Sequence, residues 1–412
     1  MKFFAAKLSN HTKLTLLIFI LAFILLRPFQ LERSGMIYPG DDRSHFAFTT
    51  SMIFGEYPKF DKELLDEFSV PPLSRAGVGA LMAPLSFIFS IVDRVGHGKI
   101  VETRTVESIA ESWTVVGAVA TSILALALAV FLLYDGLCLF YSERAAFWAV
   151  VLSVLVQGIP LYAFRRPVFS HVYELLFQVL GLYLFLLQYK NPSVLKKWWF
   201  ALGLFFTAFF ILHVRQNGLP FAFIWVVACY CFDFSRWKLK KEAGFGALIF
   251  ILAFGLFWIT KKIPNFVQPE LYAAPNAAFE TTGFLFQFES PGFYLHRIWY
   301  ILCGLDWGLV FTAPYLLVGG WFLFKKDFAL KKLMLVPSLL LLINFYILII
   351  WRSQGSYYGY RYLVFSAAPL MAVPLCYGIE KMKNKGFFKA LVLWGLVPLL
   401  SMILFESSEI TD

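Results

Sequence analysis

Apolar runs of bilayer length recur along this chain from near its start to near its end, and they leave few folds open to it. A hydrocarbon core about 30 Å thick takes roughly 20 residues of helix, and in lipid every backbone N–H and C=O must find its partner inside the protein. Eleven stretches suit that requirement: about 14–29, 113–134, 144–163, 172–189, 198–213, 218–232, 244–260, 307–324, 332–351, 361–379 and 387–404. Runs of this length are helices rather than strands. The expected fold is therefore all-α, a polytopic membrane helical bundle of about eleven transmembrane helices. Of the 412 residues, 59% are hydrophobic and 15% charged, which excludes an ordinary soluble domain.

One further stretch, 76–92, is either a twelfth span or an amphipathic segment on the membrane surface. Charge decides between these. The short loops 190–197, 236–241, 325–332 and 381–389 carry three or four basic residues each, whereas those around Arg215 and 352–361 are sparsely basic. Positive loops stay on the cytoplasmic side, and Lys2, Lys7 and Lys13 place the N-terminus with them. The parity holds only if 76–92 does not cross. Residues 30–112 then form one long outer loop with juxtamembrane helices, and 261–297, with four prolines, a second. The whole of 1–412 reads as a single membrane domain. The first run resembles a signal peptide, but Arg27-Pro28-Phe29 follows it in place of a small-residue cleavage site, so it is expected to stay as an anchor. The net charge of +10 is accounted for by orientation, and no nucleic-acid motif accompanies it. The five cysteines show no metal or redox spacing and read as packing residues.

Against this background the stretch Gly40-Asp41-Asp42-Arg43-Ser44-His45-Phe46 stands out. Nothing about crossing a bilayer requires two adjacent carboxylates just after the first span. Further polar residues gather at other outer junctions: Arg165, Arg166, His171 and Glu174; His213 and Arg215; His296, Arg297 and Asp306; Arg352 and Arg361. His171 and Glu174, three apart, share a helix face. Singly, each has a bland reading. Arg165, Arg215 and Arg361 suit snorkelling anchors, the tyrosines at 357–362 an aromatic belt, His213 a satisfied helix end, and Asp41-Asp42 a solvated turn. Together they put Arg, His and carboxylate chemistry on one side of the membrane.

An uncleaved first span followed within a dozen residues by Gly-Asp-Asp resembles the polyprenyl-phosphate-sugar-dependent glycosyltransferases of the GT-C type. That superfamily includes the protein O-mannosyltransferases and the lipid A aminoarabinose transferase. Further resemblance lies in 165–171, in Arg215-Gln216-Asn217-Gly218, in 304–314 and in 355–369. The family often has Asp-Glu followed by aromatics, where this chain has Asp-Asp-Arg-Ser-His, so which carboxylate is the base stays open. The resemblance implies an inverting hexosyl- or pentosyltransferase at the outer face of the inner (plasma) membrane. It implies Asp41 and Asp42 as catalytic residues or ligands of a divalent metal ion; the sequence itself requires no cofactor. The partners it implies are a polyprenyl-phosphate sugar donor and a lipid, polysaccharide or protein acceptor.

Chemistry agrees with that assignment. Transfer from a lipid phosphate needs a base for the acceptor hydroxyl and cations for the departing phosphate. Arg165, Arg166, Arg215 and Arg361 are the phosphate candidates, because a guanidinium grips phosphate through two parallel bonds. His171 and Glu174 are placed to contact the donor sugar or to orient an arginine. Two other classes compete. A flippase or transporter of lipid-linked saccharides would be expected to show inverted repeats and broken helices, and neither is evident in the sequence. A polysaccharide polymerase would have no need of the acidic pair.

Overall fold

The structure is a computed structural model that describes residues 9–25, 41–55, 57, 77–97, 112–214, 218–233, 238–267, 290–304, 308–350, 361–382 and 385–400. Its elements are α1 (Asn10–Leu25), α2 (Asp41–Ile53), α3 (Gly77–His97), α4 (Trp113–Cys138), α5 (Glu143–Val150) and α6 (Ile159–Arg165). Next come α7 (Ser170–Lys190), α8 (Trp198–Val214), α9 (Gly218–Val226), α10 (Ala243–Val267), α11 (Pro291–Cys303) and α12 (Leu309–Thr312). The last are α13 (Pro314–Leu323), α14 (Lys331–Ile350), α15 (Arg361–Lys381) and α16 (Lys385–Trp394). Strand is confined, among the described residues, to a two-residue hairpin pairing Phe232 with Leu239 and Asp233 with Lys238.

This is a helical membrane protein. Among the described residues, Gly77–Gly96, Trp113–Cys138, Ser170–Lys190 and Ala243–Ile263 are long and apolar enough to cross a bilayer. The bent pair Glu143–Leu155 and Ile159–Arg165 makes a fifth if it is one span, and five shorter apolar helices accompany these. Several expected spans are subdivided. The run at 144–163 bends by 60°, where a π-helical turn, Val151–Leu155, meets Gly158 and Pro160. The expectation of no broken helix is thereby corrected: proline at the second position of α6 has no N–H to give the preceding turn. The run at 307–324 is split into α12 and α13 at Ala313-Pro314. The α10 helix continues past its expected end at 260 to Val267.

Side-chain contacts fix the helix directions. Gly136, near the end of α4, lies against Tyr183 and Leu186 near the end of α7, so these two run the same way. Phe177 stacks on Phe210 at 4.8 Å and Gly203 meets Leu184, so α8 runs antiparallel to α7. His11 at the start of α1 meets Asp135 at the end of α4, 3.0 Å away. Glu380 at the end of α15 accepts from the Ser142 N–H at the start of α5. Lys240 donates to Gln188 near the end of α7 and to the carbonyls of Ala228 and Cys229. The Lys-rich loops thus collect at one end of the bundle. The starts of α4, α7 and α15 and the ends of α6 and α8 lie at the other.

The position of α3 follows from the same contacts. Its first residue, Gly77, packs on His213 at the end of α8. Its middle residue Ser86 meets Gly117 in the second turn of α4. Near its end, Asp93 bonds the first residues of α4. By composition α3 qualifies as a span, and its second half packs along the first two turns of α4. Ser86, Ser90 and Asp93 face the protein, while Phe87, Ile88, Ile91, Val92 and Val95 are exposed.

Candidate active site

The end opposite the Lys-rich loops holds, of the polar residues singled out in the sequence, the described Arg165, Arg166, His171, Glu174 and His213. Helix α6 ends at Arg165, a short turn follows, and α7 begins at Ser170. Three bonds shape that corner. The Phe169 N–H bonds Arg166 O, the Tyr173 hydroxyl donates to Pro167 O at 3.1 Å, and Ser122 of α4 donates to Ala163 O at 2.9 Å. The turn is thereby tied to its own helix and to α4. Arg166 is buried, with its guanidinium carbon 4.4 Å from the centre of the Phe169 ring. A ring face attracts a cation electrostatically, which lowers the cost of holding this charge inside. Arg165 is half-buried beside it.

His171 and Glu174 are 0% and 4% exposed, and His171 Nδ1 lies 3.6 Å from Glu174 Oε2. The imidazole is walled by rings: Phe169 at 4.8 Å, Phe365 stacked at 5.2 Å and Tyr162 edge-on at 5.7 Å. Tyr162 and Phe365 also touch each other at 5.3 Å. Three elements, α6, α7 and α15, therefore hold one acid–base pair in a fixed aromatic frame. Burying an imidazole and a carboxylate together inside a membrane bundle is costly unless they serve each other or a ligand.

Arg361 opens α15 one helical turn before Phe365, so the backbone brings it to the same end; its side chain lies outside the described part of the structure. Asp41 and Asp42 open α2, and their carboxylates lie outside it too. Helix α2 packs on α3 through Phe48 and Thr49 against Gly79, which places α2 beside this end as well. Arg215 lies outside the described residues, between His213 and Gly218. His213 itself is occupied, with Nδ1 2.9 Å from Phe209 O and Nε2 2.7 Å from the Thr260 hydroxyl, as its bland reading has it. Among the described residues no group of three or more His, Cys, Asp or Glu could hold a metal ion.

Two features escaped the sequence reading. Asp93 is buried and takes the Trp113 and Thr114 N–H groups and the Ser112 and Thr114 hydroxyls, a carboxylate closing a helix N-terminus from a neighbouring helix. The signal, Ser112-Trp113-Thr114 at a helix start, was present, but its partner is 20 residues upstream of Trp113. Tyr162 and Phe365 are indistinguishable from ordinary core aromatics until the fold joins them at His171.

No protein-family model matches the chain, and no curated protein matches it in sequence. Its fold does have a solved counterpart. The apo oligosaccharyltransferase of Archaeoglobus fulgidus aligns with a TM-score of 0.52 at 13% identity, over 99% of this chain and 57% of that one. The same archaeal oligosaccharyltransferase, AglB, with an inhibitory peptide and a dolichol-phosphate aligns at 0.47 and 13% identity, over 97% and 55%. The chain spans just over half the length of that enzyme. At this identity the likeness is one of fold alone: the chain folds like the membrane-helical part of that oligosaccharyltransferase structure with which it aligns.

Proposed function

We propose that this chain is a glycosyltransferase moving a hexosyl or pentosyl group from a polyprenyl-phosphate donor to an acceptor hydroxyl. The reaction would take place at the outer face of the inner (plasma) membrane. The observation that carries the reading is the buried His171–Glu174 pair, framed by α6, α7 and α15 next to Arg165 and Arg166. It sits at one end of a fold shared with an oligosaccharyltransferase. The gathering of Lys-rich loops at the opposite end supports an outward-facing site, in a bundle of about eleven spans with α3 along its outer surface.

In this reading the acceptor oxygen forms a bond to the anomeric carbon as the bond from that carbon to phosphate oxygen breaks. The leaving polyprenyl phosphate keeps the electron pair, and a carboxylate takes the acceptor proton. A single displacement inverts the anomeric centre. Asp41 serves as base or metal ligand with Asp42 as its partner, and the two are the residues that would hold a divalent ion. Arg165, Arg166, Arg215 and Arg361 neutralise the departing phosphate, a role for which a planar fork of donors is suited. His171 and Glu174 orient the donor sugar or an arginine against it.

The bend between α5 and α6 favours a second reading. Broken helices lining a bundle are a device of transporters, so a flippase of the same lipid-linked saccharide is the competing function. Purified protein separates the two. It is given a polyprenyl-phosphate-sugar fraction and membrane extract from a deletion strain, with no other enzyme present. Glycosylated product supports transfer. Donor moved across vesicle membranes without product would overturn it in favour of the flippase.

A further inference from the structure

The Lys-rich end of the bundle holds a cavity of about 760 Å³ that no step proposed above uses. It lies between the end of α7, the 3₁₀ turn Pro192–Lys196, the π-helical turn Val227–Cys231, the hairpin and the start of α14. Lys240 builds its wall. A helix end leaves its last carbonyls without partners, and the Lys240 ammonium donates to two of them, Ala228 O at 3.1 Å and Cys229 O at 2.7 Å. Its third bond goes to Gln188 Oε1 at 3.1 Å. An ammonium has three N–H donors, so Lys240 ties the hairpin to α7 and adds its charge to the wall, with no donor left for a ligand.

Lys196 and Lys241 differ from it. Both line the cavity and both are exposed. Lys241 meets Glu242 only at 3.9 Å, on a side chain that is 84% exposed, and such a pair contributes little. Asp233 and Glu242 are the carboxylates on the wall, outnumbered by its three lysines. Lys190, Lys197 and Lys238 stand in the adjoining turns, so the field at this end favours an anion.

The rest of the wall argues for an anion with an apolar part. Helix α7 is long and apolar enough to span and runs toward this end, so Phe185, a turn before Gln188, lies deeper than the lysines. Leu333, just inside the Lys331-Lys332 start of α14, lines the cavity as well. A small soluble anion gains nothing from that wall, whereas an amphiphile at the end of a span meets both halves. Basic pockets between membrane helices bind anionic lipid headgroups.

We propose that this cavity binds an anionic phospholipid, with Lys196 and Lys241 on its phosphate and Phe185 and Leu333 against the start of its acyl chains. Such binding needs no sugar transfer and is measured apart from activity. Native mass spectrometry of the purified, delipidated full chain counts bound lipid as phosphatidylglycerol or phosphatidylcholine is added. One phosphatidylglycerol should bind about tenfold or more tighter than phosphatidylcholine. Lys196→Gln and Lys241→Gln should each weaken it about tenfold, the effect of one lost charge-assisted bond. Lys197→Gln and Lys238→Gln remove the same charge from the same turns without lining the cavity, and should weaken it less than about threefold. All four variants should unfold within about 2 °C of wild type when lipid is absent, as changes at exposed positions do. Equal affinity for the two lipids, or equal losses at lining and adjoining lysines, would overturn the proposal. Glycerol phosphate supplies the headgroup without chains. Binding as tight as that of the lipid would make this a site for a soluble phosphoester and overturn the assignment to phospholipid.

Discussion

Replacing Asp93 by Ala tests the joint between α3 and α4. Oδ1 accepts the Trp113 N–H at 2.9 Å, and Oδ2 accepts Ser112 Oγ at 3.2 Å, Thr114 N at 3.3 Å and Thr114 Oγ1 at 3.2 Å. A hydrogen bond to a charged group contributes about 1.5–3 kcal/mol, but four bonds sharing one carboxylate do not sum. Ser112 Oγ also bonds Thr114 N at 3.0 Å, so that donor keeps a partner in the variant. Losing the buried carboxylate also removes its own desolvation cost. The bond to Trp113 and the attraction to the helix N-terminus, about 0.3–2 kcal/mol, are what the variant chiefly forfeits. The net expectation is about 3 kcal/mol for Asp93→Ala, and about half of that for Asp93→Asn, which keeps one acceptor oxygen. Unfolding by SDS titration in mixed micelles reads both values. An Asp93→Ala protein within about 0.5 kcal/mol of wild type, the range of ordinary surface changes, would refute the cap and with it the argument for where α3 ends.

Asp41→Asn or Asp42→Asn should lower transfer by about 10²–10⁴-fold, the usual contribution of a general base. The same change at Asp61 or Asp66 should leave the rate near wild type, and activity of purified variants decides between them. If Arg165, Arg215 and Arg361 grip phosphate, Arg→Lys at each should cost roughly tenfold or more in donor use, because the charge survives but the paired donors do not; an unchanged rate would identify a lipid anchor. Gly117→Ala would drive a methyl into the Ser86 backbone and the Leu85 carbonyl, atoms that no rotamer change can move aside. A net loss of about 1–3 kcal/mol is expected from such overpacking, measured by the same SDS titration.

The sequence already carried the helical class, the gathering of the Lys-rich loops at one end, and the pairing of His171 with Glu174. Each of these depends on composition or on spacing within one helix, which are local properties. What it did not carry depends on contact between distant segments. The packing of α3 is one case: its composition does not say which helices it meets, and Gly77 against His213 and Asp93 against Trp113 supply that. The aromatic frame is another, since Phe365 reaches His171 from the far end of the chain. The bend near Gly158 lies between these extremes. Gly158 and Pro160 were in view, but proline is common enough in membrane helices that its effect depended on what packs around it.

The central position of α7 bears on how the protein is made. The apolar stretch of α7 is 78% buried, against 22% for that of α10, and α7 holds His171, Glu174 and Gln178. A charged side chain costs about 2.5–3.5 kcal/mol at the centre of a lone helix on insertion scales and less near its end, where His171 and Glu174 lie, so α7 carries a modest penalty as it leaves the translocon. Synthesis delivers α4 ahead of it, and α8 follows at once as an antiparallel neighbour. Phe365 comes close to the end. A nascent chain halted before α15 therefore lacks the Phe365 wall of the imidazole and keeps only those of Tyr162 and Phe169, the kind of defect on which membrane quality control acts. Only a chain that has reached α15 can close the frame around this pair.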